Sequence, residues 1–76
     1  MVLLLNAHHH PLLDRIAANV RSLRKQRGWS RRDLAQRAGI SERFLADVEA
    51  ALANPSVLRL AALADVLEID LIALFA

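Results

Sequence analysis

The sequence predicts an all-α domain of five short helices around one hydrophobic core. Alanine and leucine supply 29 of its 76 residues, and both form helices readily, whereas β-branched residues, which favour strands, are scattered. Apolar residues recur at helical rather than alternating spacing. Between these stretches lie residues that begin and end helices: Gly28, Ser30, Gly39, Ser41 and the Asn54-Pro55 pair. A chain this short builds one core and little more, so it is a single domain, complete or part of a longer chain.

The first helix is expected from Leu12 or Asp14 to Arg27, with Ile16, Val20 and Leu23 on one apolar stripe. Gly28 ends it as a left-handed cap, and Arg24, Lys25 and Arg27 suit the negative end of its dipole. Ser30, with Asp33 three residues on, is a capping-box variant opening a second helix that buries Leu34, Ala35 and Ala38. Gly39 breaks that helix, Ile40 anchors the turn, and Ser41 caps a third helix from Glu42 to about Ala51. A fourth helix runs from the Ser56 cap to about Leu67, with Leu60, Leu63, Ala64 and Leu67 inward. Asp70 caps a short fifth helix carrying Leu71 and Leu74. The domain therefore spans residues 12–76, behind a flexible leader of residues 1–11.

Composition excludes several classes of function. Without cysteine there are no disulfides and no thiolate zinc site, which fits a reducing cytoplasm. Met1 to Leu5 is apolar but lacks a basic leader and is far too short to span a bilayer. His8, His9 and His10 are consecutive rather than four apart, so they do not set two metal ligands on one helix face. No phosphate-cradling glycine loop or nucleophile elbow occurs, so no enzyme, cofactor, metal or small-molecule site is expected.

The net charge of +2 conceals an asymmetry. Residues 15–43 carry nine Lys/Arg against two acids, Asp33 and Glu42, while residues 44–76 carry one base, Arg59, against five acids. That split of +7 to −4 attracts polyanions, of which nucleic acid is the commonest, although a solvated helix face has the same signature.

Two short helices joined at Gly39, spanning about residues 30–50, fit a helix-turn-helix, whose second helix enters the DNA major groove. The run Val20 to Gly28 (VRSLRKQRG), the run Leu34 to Ser41 (LAQRAGIS), Asn54-Pro55-Ser56 and the terminal Leu71 to Phe75 together resemble the phage-repressor/Cro-type (XRE) family. The resemblance covers about Ile16 to Phe75 and implies a lambda-repressor-like DNA-binding domain. It further implies a transcriptional regulator, a repressor by occlusion with activation equally open, acting on double-stranded DNA with a roughly palindromic operator as a homodimer, located in the cytoplasm.

The same resemblance places Glu42, Arg43, Ala46 and Asp47 toward base edges. Arg43 suits a bidentate pair to guanine or, equally, a phosphate contact; Glu42 and Asp47 can accept from cytosine N4 but also repel phosphate. Ser30, Arg31 and Arg32 stand at a helix start, where free N–H groups and the dipole favour phosphate. Arg24 and Glu49 match positions that pair with each other in this family, bracing helix one against the end of helix three. Trp29, Leu34, Ile40, Leu45 and Val48 belong to the core, and Phe44 either packs at its edge or meets a thymine methyl.

Two stretches depart from the family pattern. Ala50-Ala51-Leu52-Ala53 is apolar where relatives carry glycine with polar or basic neighbours. Leu58, Ile72 and Ala73 stand where relatives are mostly polar, and with Leu52 and the Val2 to Leu5 arm they suggest a two-fold interface. The alternative is a helix-turn-helix scaffold turned to protein–protein contact, favoured by the acids and the apolar loop and opposed by the basic block.

Overall fold

Pro11 opens the first helix of the computed structural model, which describes residues 10–76. Proline suits this position because its missing N–H would have no helical partner there. His10 caps the helix, its Nδ1 accepting from the Leu12 N–H at 3.0 Å. Helix α1 therefore runs Pro11–Gln26, beginning one residue before the expected boundary at residue 12. The rest of the expected leader, including His8, His9 and the Val2 to Leu5 arm, lies outside the described residues.

At its other end, the Gly28 N–H donates to the Lys25 carbonyl and the Trp29 N–H to the Arg24 carbonyl, with Gly28 at φ 70°. This left-handed exit satisfies carbonyls that have no partner within the helix. Ser30 then starts α2 (Arg31–Ala38) with a reciprocal capping box: Ser30 Oγ accepts from the Asp33 N–H, and the Asp33 carboxylate accepts from the Ser30 N–H. Gly39, also at φ 70°, reverses the chain within two residues, and Ser41 Oγ accepts from the Phe44 N–H to begin α3 (Glu42–Glu49).

α3 ends two residues before the expected Ala51, because the chain leaves the helix at Ala50 and Ala51 takes a left-handed φ of 60°. That conformation costs a residue with a Cβ about 1–2 kcal/mol. Ser56 caps α4 (Val57–Leu67) as expected, through the Arg59 N–H. The expected fifth α-helix is instead a 3-10 helix, Leu71–Phe75, and Asp70 makes no side-chain cap bond to it. A five-residue segment can close few i→i−4 bonds, and the tighter i→i−3 pattern suits such short pieces. Its end is tied to α1, where Asn19 Nδ2 donates to the carbonyls of Leu74 at 2.9 Å and Ala76 at 3.0 Å.

α1 packs on α3, α4 and the 3-10 helix, while α2 packs on α3 and α4. Leu13, Ile16, Ala17 and Val20 of α1 meet Leu34, Leu45, Val48, Leu60, Leu63, Leu67 and Leu74 in one core. Trp29 and Ile40, expected inside, are half-buried against it, as are Leu23 and Phe44. Among the described residues every buried side-chain nitrogen and oxygen has a partner, and no helix is long and apolar enough to cross a membrane.

Candidate nucleic-acid interface

α3 is amphipathic about its own axis. At roughly 100° per residue, Leu45, Val48 and Glu49 turn inward and are buried, whereas Arg43, Ala46, Asp47 and Ala50 fall on the outward stripe, with Glu42 at its edge, nearly in line with Glu49 two turns away. Glu42, Arg43 and Ala50 are exposed, and Ala46 and Asp47 half-buried. The four residues expected to face bases thus share one outward face of one helix. Glu42 also occupies the first helical turn, where an acid is favoured by the dipole whatever else it does. Arg43 and Asp47, one turn apart, approach each other at 3.7 Å between Nε and Oδ1.

This helix is held from α1. Arg24 and Glu49, both buried, form a two-bond ion pair. A third Arg24 donor, Nη1, reaches the Trp29 carbonyl at 2.9 Å, and Arg21 Nη1 donates to the Glu49 carbonyl at 2.6 Å. Parallel guanidinium–carboxylate bonds fix relative orientation as well as distance, so the exposed face of α3 is presented at a defined angle.

At the start of α2, Arg31 and Arg32 are exposed at the first two helical positions. The capping box commits the Ser30 backbone N–H and its hydroxyl oxygen to Asp33. The Asp33 carboxyl is held below its ordinary value of 3.8, chiefly by that Ser30 N–H, with the Ser30 hydroxyl and the nearby Arg37 and Arg32 charges adding to it.

The nine bases of residues 15–43 do not form one field, because the fold uses several of them. Arg21 and Arg24 hold α3, while Arg27 reaches the far end of α4, donating to the Leu67 carbonyl and pairing with Glu68 at 3.2 Å. Arg37 lies over the Trp29 ring, 4.3 Å from its centroid. Arg15, Lys25, Arg31, Arg32 and Arg43 stand exposed on the surface. Phe44 packs against the core with the Arg59 guanidinium 4.5 Å above its ring, which favours the packing reading over a thymine contact. Leu52, Leu58 and Ile72 are 77%, 81% and 79% exposed, and Ala73 is exposed beside Ile72.

The fold has close counterparts among solved structures. A hypothetical transcription factor, NHTF, from Neisseria superposes with a TM-score of 0.83 at 26% identity, over 86% of this chain and 75% of that one. A restriction-modification controller protein from Aeromonas hydrophila gives 0.80 at 30% identity, over 83% of this chain and 96% of its own. A transcriptional regulator from Vibrio cholerae gives 0.79 at 33% identity, over 84% of this chain, which spans only 36% of that protein. Comparison with curated protein sequences gives no match. The helix-turn-helix (HTH_3) family model matches residues 20–74, which takes in α2, α3 and the Arg24–Glu49 brace, and the chain belongs to that family, the one its sequence resembles.

Proposed function

We propose that the protein is a sequence-specific DNA-binding transcriptional regulator that reads the major groove with α3. The observation that carries this reading is the outward stripe of Glu42, Arg43, Ala46 and Asp47 on a short helix braced by Arg24 and Glu49. Such a helix fits the major groove, and its family and structural neighbours, a transcription factor and a transcriptional regulator among them, support the same assignment. Ser30, Arg31 and Arg32 are the proposed phosphate contacts, where free N–H groups at a helix start meet two exposed guanidiniums.

The proposed active form is a homodimer joined through Leu58, Ile72 and Ala73, with two α3 helices in successive major grooves of a roughly palindromic site. Occupying such a site blocks access to it, and the protein then acts as a repressor. Selection from a random duplex pool, followed by titration at several salt concentrations, tests the proposal. The expected outcome is one enriched motif and a steep salt dependence.

One observation favours a second reading, contact with another protein. The apolar side chains of Leu52 and Leu58 are 77% and 81% exposed, and the outward face of α3 carries two acids, Glu42 and Asp47. A selection that enriches no motif, with binding indifferent to salt, decides for that reading.

A further inference from the structure

Resting on the DNA-binding reading above, the geometry points to a joint role for Arg43 and Asp47: they act as one neutral couple that reads a single G·C pair. Asp47 is the fixed member. Its carbonyl accepts from the N–H groups of Leu52 at 2.8 Å and Ala53 at 3.3 Å, and its side chain is 38% exposed against 87% for Arg43. The backbone that carries the carboxylate is thus anchored at the end of α3, and Arg43 is the longer and more exposed of the two side chains.

A guanidinium carries five N–H donors in one plane. Nε is the Arg43 nitrogen that pairs with Asp47 Oδ1, an ion-pair contact at 3.7 Å that is longer than a hydrogen bond. On closing that pair, the edge formed by the two Nη groups stays free for a base. That edge is a donor pair of the kind that meets guanine O6 and N7. An ionised carboxylate has acceptor capacity for more than one donor, so Asp47 can hold Arg43 and also accept from the N4 amino group of the paired cytosine. Along its major-groove edge a G·C pair presents two acceptors and then a donor, and the couple presents two donors and then an acceptor. An A·T pair offers no two adjacent acceptors to match it.

The couple also resolves the presence of an acid on a face turned toward phosphates. A carboxylate there repels phosphate whatever the sequence, even where it accepts from a cytosine. Beside Arg43 its charge is locally cancelled, so Asp47 sacrifices non-specific attraction and adds discrimination. A pair four residues apart whose arginine is 87% exposed contributes little to folding, and the near-isosteric Asp47→Asn leaves the fold in place.

The test starts from the motif that the wild-type protein selects, which is expected to contain one dominant G·C pair per half-site. Replacing that guanine with 7-deazaguanine, which lacks the N7 acceptor, should weaken wild-type binding about tenfold and leave Arg43→Ala almost unaffected. Asp47→Asn should retain the wild-type melting curve and tighten binding to random DNA, while its preference for G·C over A·T at that position falls about tenfold. The couple is overturned if Asp47→Asn tightens all duplexes equally and keeps the preference, since the acid would then only repel phosphate. A wild-type protein that selects no motif and shows no salt dependence overturns the DNA-binding reading itself, and the couple with it. The two failures are thereby distinguished.

Discussion

Arg24 of α1 clasps Glu49, the last residue of α3, through Nε to Oε2 at 2.7 Å and Nη2 to Oε1 at 3.0 Å. Both residues are buried, and the remaining Arg24 nitrogen is spent on the Trp29 carbonyl. The helix proposed to read DNA is thus oriented by a charge pair that never touches the ligand.

Removing one partner of such a pair strands the other charge in the interior at a cost of about 3–5 kcal/mol, whereas replacing both with apolar residues of similar size is often neutral. Glu49→Ala is accordingly expected to lower the melting temperature by roughly 12 °C or more for a domain of this size. The double variant Arg24→Met with Glu49→Leu should recover much of that loss. Thermal unfolding followed by circular dichroism checks both, and a single variant that melts like the wild type would remove the brace from the account of stability.

Asp33 makes acid stability a local question. Its folded-state carboxyl is held below the ordinary 3.8 by the Ser30 N–H first of all. The ionised form is therefore favoured by folding, its contribution is complete above the unfolded value, and it disappears as pH falls through the lower folded value. Asp33→Asn should flatten the decline in melting temperature below about pH 4 and leave the curve nearly parallel to wild type at pH 7. A decline that is equally steep in both proteins would assign acid unfolding to other carboxylates.

The helix starts at Ser30, Ser41 and Ser56 and the turns at Gly28 and Gly39 were legible in the sequence because their causes are local: a hydroxyl bonds an N–H three residues away, and a glycine takes φ 70°. The start at Pro11 had the same kind of signal, a proline at the first helical position, but the neighbouring histidines masked it. The 3-10 helix is not legible as such in the sequence, because its apolar positions fit an α-helix equally well and the bond that fixes its end comes from Asn19, more than 50 residues away. The same distance hid Arg27, whose charge suits the end of its own helix but which reaches Leu67 and Glu68. Arg24 and Glu49 were matched only through family resemblance, since nothing in a spacing of 25 residues announces a contact. A charge count along the chain cannot separate arginines that hold the fold from those that face a partner.

That separation gives a prediction in salt. Arg31 is exposed at the first position of α2, so Arg31→Ala should remove one neutralised phosphate, weaken all duplexes alike and reduce the slope of log K against log salt by about 0.9. Arg27→Ala should destabilise the join between α1 and α4 while changing the slope much less, because its charge is already partnered by Glu68. Titrating both variants from low to moderate salt measures the difference, and equal slopes for the two would mean that the basic block acts as an undivided field.

The proposed dimer is tested where the 3-10 helix meets solvent. Asn19 pins this segment to α1 by its carbonyls, so Ile72 is presented at 79% exposure from a fixed platform, with Ala73 beside it and Leu58 on α4 at 81%. Burying one large aliphatic side chain contributes about 1.5–3 kcal/mol, and a two-fold axis counts each residue twice. Ile72→Asp should therefore raise the dimer dissociation constant by at least roughly 100-fold, with an unchanged melting curve for the monomer. Sedimentation equilibrium reads the first quantity directly. On DNA, the variant should lose most of its affinity for the full palindrome and retain that for a half-site, because only the linkage between two α3 helices has been removed. A wild-type protein that sediments as a monomer at high concentration, with equal half-site and full-site affinities per bound chain, would show that two-fold assembly plays no part in its recognition of DNA.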